Sequence, residues 1–275
     1  MPIDENAALD DRQLRERAYH EDFAARHKDK AEQPVNLDVI SPGPRRPWNA
    51  FWSAYDLLMA ERPAGKRVLI PGCGFGEDAI RLAKLGADVH ASDLSPDLLD
   101  IARGRAERMD AGGIHFDVMP AEALTYPDGF FDLVFFNDIL HHVDIPGAVA
   151  ETRRVLKPGG RVVANELYTH SSLQRVRESR FVSSFVYRRM VRFIYGSDTP
   201  YITADEHKIN ELELAILEKA LAPDARYMFF LFTGGRLLPA DWLAVQKMDR
   251  ALLNTSEAVG RRLAGRVVLA GTTRK

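Results

Sequence analysis

Three glycines spaced two apart, Gly72, Gly74 and Gly76, follow a short apolar run, Val68-Leu69-Ile70. The next apolar run, Val89-His90-Ala91-Ser92, ends in Asp93. A glycine turn lets the backbone pass close to a ligand without Cβ clashes. The helix-like stretch from Glu77 to Leu85 would present free N–H groups to polar or anionic ligand atoms. A carboxylate at the end of a second strand can accept hydrogen bonds from both hydroxyls of a ribose. These types in this order predict a site for a nucleotide-like ligand. Farther along, His141 and His142 follow the buried run Phe131–Asn137, and Glu166 ends another apolar run. Imidazole moves protons near neutral pH, so these three, with Tyr19 and His20 near the N-terminus, are the candidates for proton transfer.

The elements that must position these residues alternate. Strands are expected near 67–70, 88–92, 114–119, 131–137 and 160–165, with helices near 77–85, 96–109 and 144–155. Such alternation builds a parallel sheet with helices on both faces, and ligands then sit at the carboxyl ends of the strands. Ahead of it, Asp10 or Asp11 would cap a charged helix running to about Lys30. A proline-rich connector (34–47) and an aromatic helix from Trp48 to Ala60 come next. After Glu166 the alternation stops. A basic, aromatic helical stretch (171–195) leads to a helix from Ile209 to Leu221, a strand at 227–232, a helix from Ala240 to Leu263 and a last strand from Gly265.

A glycine turn by itself also fits dinucleotide binding, since Gly74-Phe75-Gly76-Glu77-Asp78-Ala79 has the G-x-G-x-x-A form. The full set of motifs points elsewhere. Gly72-Cys73-Gly74-Phe75-Gly76, Asp93, Pro120-Ala121-Glu122-Ala123-Leu124, Phe131-Asp132-Leu133-Val134, Leu140-His141-His142-Val143 and Leu156-Lys157-Pro158-Gly159-Gly160 occur in this order over roughly residues 66 to 166. In this the chain resembles the class I S-adenosylmethionine-dependent methyltransferases. The resemblance implies a doubly wound, seven-stranded, mostly parallel α/β sheet with helical caps, closed by an antiparallel pair. It implies an N-terminal cap and connector (1–60), a cofactor-binding core (61–166), an inserted cap (167–222) and closing strands and helix (223–275).

The same resemblance assigns cofactor contacts. Gly72, Gly74 and Gly76 would approach the methionine moiety, with Cys73 as a small apolar filler among them. Asp93 would bind the ribose, Leu94 would pack on adenine, Ala121 and Glu122 would address the adenine edge, and Asn137 would reach the aminoacyl end. Two positions depart from the family pattern. Ile70 stands where an acidic residue commonly helps hold the cofactor's amino group, and Pro120 replaces an aspartate. Methyl transfer is an in-line displacement in which the protein mainly positions the acceptor and manages one proton. His141, His142, Glu166, His20 and Tyr19 are the candidates for that proton, with Tyr201 and His207 as remoter ones. No Cys/His cluster or carboxylate pair has metal-ligand spacing, so no metal is expected.

Composition narrows the partner. Of 275 residues 46% are hydrophobic and 28% charged, enough for one large domain or a core with appended elements. The net charge of −2 and pI near 6.5 lack the basic footprint of a nucleic-acid binder. One cysteine suits a reducing cytoplasm, and no signal-like or membrane-spanning run is visible. A small-molecule acceptor, an oxygen or nitrogen nucleophile, is therefore expected. The stretch from Arg175 to Tyr195, with Arg188 and Arg189, reads as core and capping residues; its other readings are a surface for anionic lipid, which would suit a lipid or quinone acceptor, and a homodimer interface. Competing functions are a nicotinamide oxidoreductase and a non-catalytic cofactor-binding subunit.

Overall fold

The computed structural model describes residues 9–180, 182, 193, 208–222, 224–234 and 236–274. Arg188, Arg189, Tyr201 and His207 lie outside the described residues, as does most of the basic aromatic stretch.

Seven strands form one sheet: β1 (Arg67–Pro71), β2 (Asp88–Asp93), β3 (Ile114–Val118), β4 (Phe131–Asn137), β5 (Leu156–Leu167), β6 (Arg226–Phe230) and β7 (Arg266–Thr272). Their order is β3-β2-β1-β4-β5-β7-β6. The first five strands pair in parallel, and β7 runs antiparallel between β5 and β6. The strands read as continuous apolar runs because both faces of the sheet are covered. Their side chains alternate between two cores: Val68, Ile70, Leu133 and Phe135 face one way, and Leu69, Val134 and Phe136 face the other.

The first core is covered by α2 (Ala50–Ala60) and α3 (Glu77–Lys84), through Tyr55, Leu58, Ala79 and Leu82. The second is covered by α5 (Ile145–Val155) and α7 (Glu211–Ala220), through Ile145, Val149, Leu214 and Leu217. Helix starts follow local capping. Asp10 forms a reciprocal capping box with Gln13 at α1 (Asp11–Arg26), Ser95 accepts from Leu98 N at α4 (Pro96–Arg108), and Asp144 accepts from Gly147 N at α5. α6 spans Ser171–Glu178.

Beyond shifts of a few residues at strand and helix ends, three elements differ from the sequence expectation. The N-terminal helix stops at Arg26 and continues as a 3-10 turn, Lys28–Glu32. Ile209 pairs with Tyr168 in an isolated bridge, and Asn210 caps the helix that follows. The expected helix over 240–263 is two, α8 (Leu243–Leu253) and α9 (Glu257–Leu263). Asn254 breaks it: its side chain accepts from Phe229 N and donates to Phe229 O, closing the outer edge of β6, and Ser256 caps α9.

The strand order reverses between β1 and β4, where the chain winds first to one side and then to the other. At such a switch point the loops at the carboxyl ends of the strands part and leave a crevice.

Candidate active site

A cavity of about 380 Å³ opens at that crevice. Its floor is the turn after β1, its far wall the end of β2 and the segment after β3, and its near wall the turn after β4. α1 supplies Arg12, Glu16, His20 and Phe23 to the same wall. Gly72, Gly74, Asp93, Leu94, Ala121, Glu122, His141, His142 and His20, all anticipated from the sequence, line this one space.

Asp93 is the fixed point. It is 7% exposed; Oδ2 accepts from Gly74 N at 2.9 Å and Oδ1 from Ser95 N at 3.0 Å. A carboxylate oxygen has lone pairs beyond one such bond, so Asp93 ties the glycine turn to β2 and still offers acceptors to two hydroxyls. Gly74 has φ +50, and a Cβ added there would meet nothing within 4 Å. The turn is thus bare on its cavity side, where a side chain would fill the space that a ligand needs. Leu94, Leu98, Met119 and Ala121 give the adjoining wall an apolar surface suited to a flat base. A bare glycine backbone, a vicinal-diol acceptor and an apolar slot fit S-adenosylmethionine.

Gly76 and Cys73 are placed differently. A Cβ on Gly76 would come 2.7 Å from Cβ of Ala102, so this glycine permits the close contact between the start of α3 and α4. Cys73 is not in the cavity wall; desolvation, with Asp93 beside it, pushes its thiol well above the ordinary value, which suits an inert filler. Asn137 faces a second cavity of about 380 Å³, with Trp48, Phe51, Asn165 and Gln246. It donates to Asp78 Oδ2 at 2.8 Å and accepts from Asn165 Nδ2 at 2.7 Å. Asp138 and Arg266, paired at 2.8 Å, line both cavities.

Ile70 is core, 1% exposed. The carboxylate in this region is instead Asp78 on α3, which accepts from Tyr55 Oη at 2.6 Å, Arg81 at 2.9 Å and Asn137.

Glu166 departs from its expected pocket-lining place. It is fully buried beneath the cavity, where Oε1 accepts from Ile139 N and Leu140 N and Oε2 pairs with His141 Nδ1 at 2.9 Å. It shapes the turn after β4 and orients His141. Tyr19 also lies outside the cavity wall, edge-on to His20 and stacked on Phe23. Glu122 lines the cavity, but its carboxylate is held by Arg12 and by Asp144 N; Arg12 donates as well to His142 O, so one guanidinium ties α1 to two loops.

Sequence reading missed Glu16. It is 3% exposed, with Oε2 3.2 Å from His142 Nδ1 and 3.6 Å from His20 Nε2. Burial alone would raise its carboxyl, but contact with His142 and His20 pulls it down to about 2. Its spacing to His20 is one helical turn, the only hint in the sequence; the partner after β4 is supplied by the fold.

Known proteins share sequence or fold with this chain. A family profile described as a methyltransferase domain matches residues 69–164. The demethylmenaquinone methyltransferase of Tropheryma whipplei (strain Twist) is 34% identical over 158 residues, 57% of this chain and 61% of the relative. The ubiquinone biosynthesis O-methyltransferase of Xanthomonas axonopodis pv. citri is 35% identical over 144 residues, 50% of this chain and 59% of the relative. Residues 69–164 are a class I S-adenosylmethionine-dependent methyltransferase domain. The chain spans about three fifths of the length of these curated relatives. The fold is shared with the geranyl diphosphate C-methyltransferase of Streptomyces coelicolor A3(2), at a TM-score of 0.59 and 15% identity, covering 98% of this chain and 100% of that one. In the methyltransferase domain, the matched segment runs from the middle of β1 to the middle of β5 and holds Asp93, Gly74 and His141. Arg12, Glu16 and His20 come from outside it.

Proposed function

We propose that the chain transfers a methyl group from S-adenosylmethionine to a small-molecule oxygen or nitrogen nucleophile. The observation that carries this is the pairing of Asp93 with the bare Gly74 turn beside an apolar slot. When bound, the cofactor supplies a methyl group on a sulfonium, already activated for displacement. Asp93 would hold the ribose, Leu94, Leu98, Met119 and Ala121 would sandwich the base, and Gly72 and Gly74 would admit the aminoacyl end. Asn137 is assigned to that end through its border with Asp138. Gly76, Cys73 and Glu122 support the site by packing and by anchoring α1, without ligand contact.

The acceptor would occupy the end of the cavity bounded by Asp138, His141, Leu167 and Arg266. With Nδ1–H of His141 donated to Glu166, the other ring nitrogen is the basic one; His141 is the proposed acceptor of the nucleophile's proton, and Glu166 its positioning residue. General-base assistance contributes about 10²–10⁴-fold. The test is S-adenosylhomocysteine release against a panel of phenolic and amine acceptors. His141→Gln should then lower kcat by at least about 100-fold with the melting temperature kept. Unchanged turnover in His141→Gln would remove the base, and no turnover with any acceptor would leave the non-catalytic subunit.

A quinone-precursor acceptor is the second reading, favoured by the functions of the two curated relatives. Among the described residues no helix is long and apolar enough to cross a membrane. The lone cysteine supports the cytoplasm as the proposed compartment. Membrane contact and a homodimer rested on the stretch around Arg188 and Arg189, outside the described residues, and neither forms part of this reading. Residues 1–60 are proposed as a cap, supported by α1 in the cavity wall; 167–222 are proposed as a second cap and 223–275 as the closing unit.

A further inference from the structure

We propose that Glu16, His20 and His142 form a binding site for one divalent transition-metal cation of the zinc class, joining α1 to the turn after β4. This goes beyond the methyl-transfer reading and differs from the expectation of no metal.

The donors are two imidazole nitrogens and one carboxylate oxygen, all within 4.8 Å of one another. That set suits zinc and its neighbours in the first transition row. Four donors placed tetrahedrally around zinc, with bonds near 2.0–2.2 Å, lie about 3.3 Å apart. Glu16 Oε2 is 3.2 Å from His142 Nδ1 and 3.6 Å from His20 Nε2. Two of these atoms, Glu16 Oε2 and His142 Nδ1, are buried and face each other as an ion pair without hydrogen-bond geometry. Buried polar atoms whose contact lacks hydrogen-bond geometry are poorly satisfied, and here two of them lie together with a third possible ligand atom within 4.8 Å. All three residues line the cavity, so a further coordination position is open to a water molecule or a ligand.

Among the described residues two other groups of His and acidic residues lie within metal-binding distance, and both are less suited. In Asp138, His141 and Glu166 the carboxylates are already taken, by Arg266 and by two backbone N–H groups and the His141 ring. Asp88, His90 and His115 sit at the other end of the strands; the His115 side chain is 58% exposed, and Arg67 lies 3.8 Å from Asp88. The sequence hid the Glu16 site because two ligands lie one helical turn apart on α1 and the third is brought by the fold. Bound there, the cation would pin α1 over the cavity beside the Arg12 clamp.

The test is direct metal binding by the intact, chelator-stripped chain. Equilibrium dialysis with Zn²⁺ should give one equivalent, and Co²⁺ titration should give ligand-field absorption bands of low-coordinate cobalt. Glu16→Gln, His20→Ala and His142→Ala should each weaken binding by at least about 10-fold, while His115→Ala leaves it unchanged. Circular dichroism of each metal-free variant separates loss of ligand from loss of fold; His20, on a helix surface, is the variant least coupled to folding. No stoichiometric binding by the wild type, or equal binding by the three ligand variants, would overturn the proposal. Calorimetry with S-adenosylhomocysteine on the same stripped protein keeps failure of the metal site distinct from failure of the cofactor reading.

Discussion

Glu166 collects two backbone donors and one imidazole donor while making no contact with solvent. Removing such an acceptor leaves its buried partners orphaned, so Glu166→Ala should cost about 3–5 kcal/mol, read by denaturant unfolding. Glu166→Gln, which keeps a carbonyl for the two N–H groups, should cost clearly less. An equal cost for both would mean that His141 is the only partner that matters. The glycines make a paired contrast. Gly74→Ala puts a methyl into open space, so it should weaken cofactor binding while costing about 1–2 kcal/mol for the left-handed backbone. Gly76→Ala drives a methyl into Ala102 at φ +74 and should cost at least about 2–3 kcal/mol by overpacking and strain. Calorimetric titration and thermal melting of both variants separate the two roles. At this scale the sequence was legible for placement: Asp93 and Gly74, expected at one site, are hydrogen-bonded to each other and line one cavity. It was not legible for Glu166 and Gly76, whose roles depend on which neighbour the fold brings up.

α3 shows how an element is secured. Its first turn is acidic, favourable at a helix N-terminus, and Arg105, 2% exposed, bridges Glu77 on α3 to Phe75 O in the glycine turn. Burial would raise the Glu77 carboxyl, but Arg81 and Arg105 outweigh it and hold it below the ordinary value of 4.5. A carboxylate whose folded pKa is depressed contributes stability above its unfolded pKa, and loses it as pH falls. Glu77→Gln should therefore lower stability near neutrality and flatten the acid limb of the profile from about pH 4.5 downward, measured by urea unfolding across pH. An acid limb identical to wild type would show that the pair contributes nothing. The elements themselves were readable because parallel strands bury both faces and read as continuous apolar runs. The split of 240–263 into two helices was not, since Asn254 ends α8 by bonding the distant strand β6.

Across the whole molecule, the cavity is a joint product of the methyltransferase domain and the N-terminal helix. Only the domain half follows motifs; α1 is tied down by Arg12 to Glu122 and to His142 O, over a span that no local pattern spells out. Arg12→Ala should loosen α1, speeding its amide hydrogen exchange and raising the cofactor Kd by about 10-fold, the worth of one lost charge-assisted hydrogen bond. Slow exchange retained in α1 would mean that other contacts hold the cap. With Pro120 and Ile70 at the two positions that depart from the family pattern, Asp93, the proposed ribose carboxylate, would be the principal polar anchor of the cofactor. The most direct measurement is therefore calorimetric titration of the chain with S-adenosylmethionine and S-adenosylhomocysteine, alongside Asp93→Ala with its fold checked by circular dichroism. Micromolar binding that falls by at least about 100-fold in the variant, about 2.8 kcal/mol, is the predicted result. Absence of binding by the folded wild type, or equal binding by the folded variant, would contradict it.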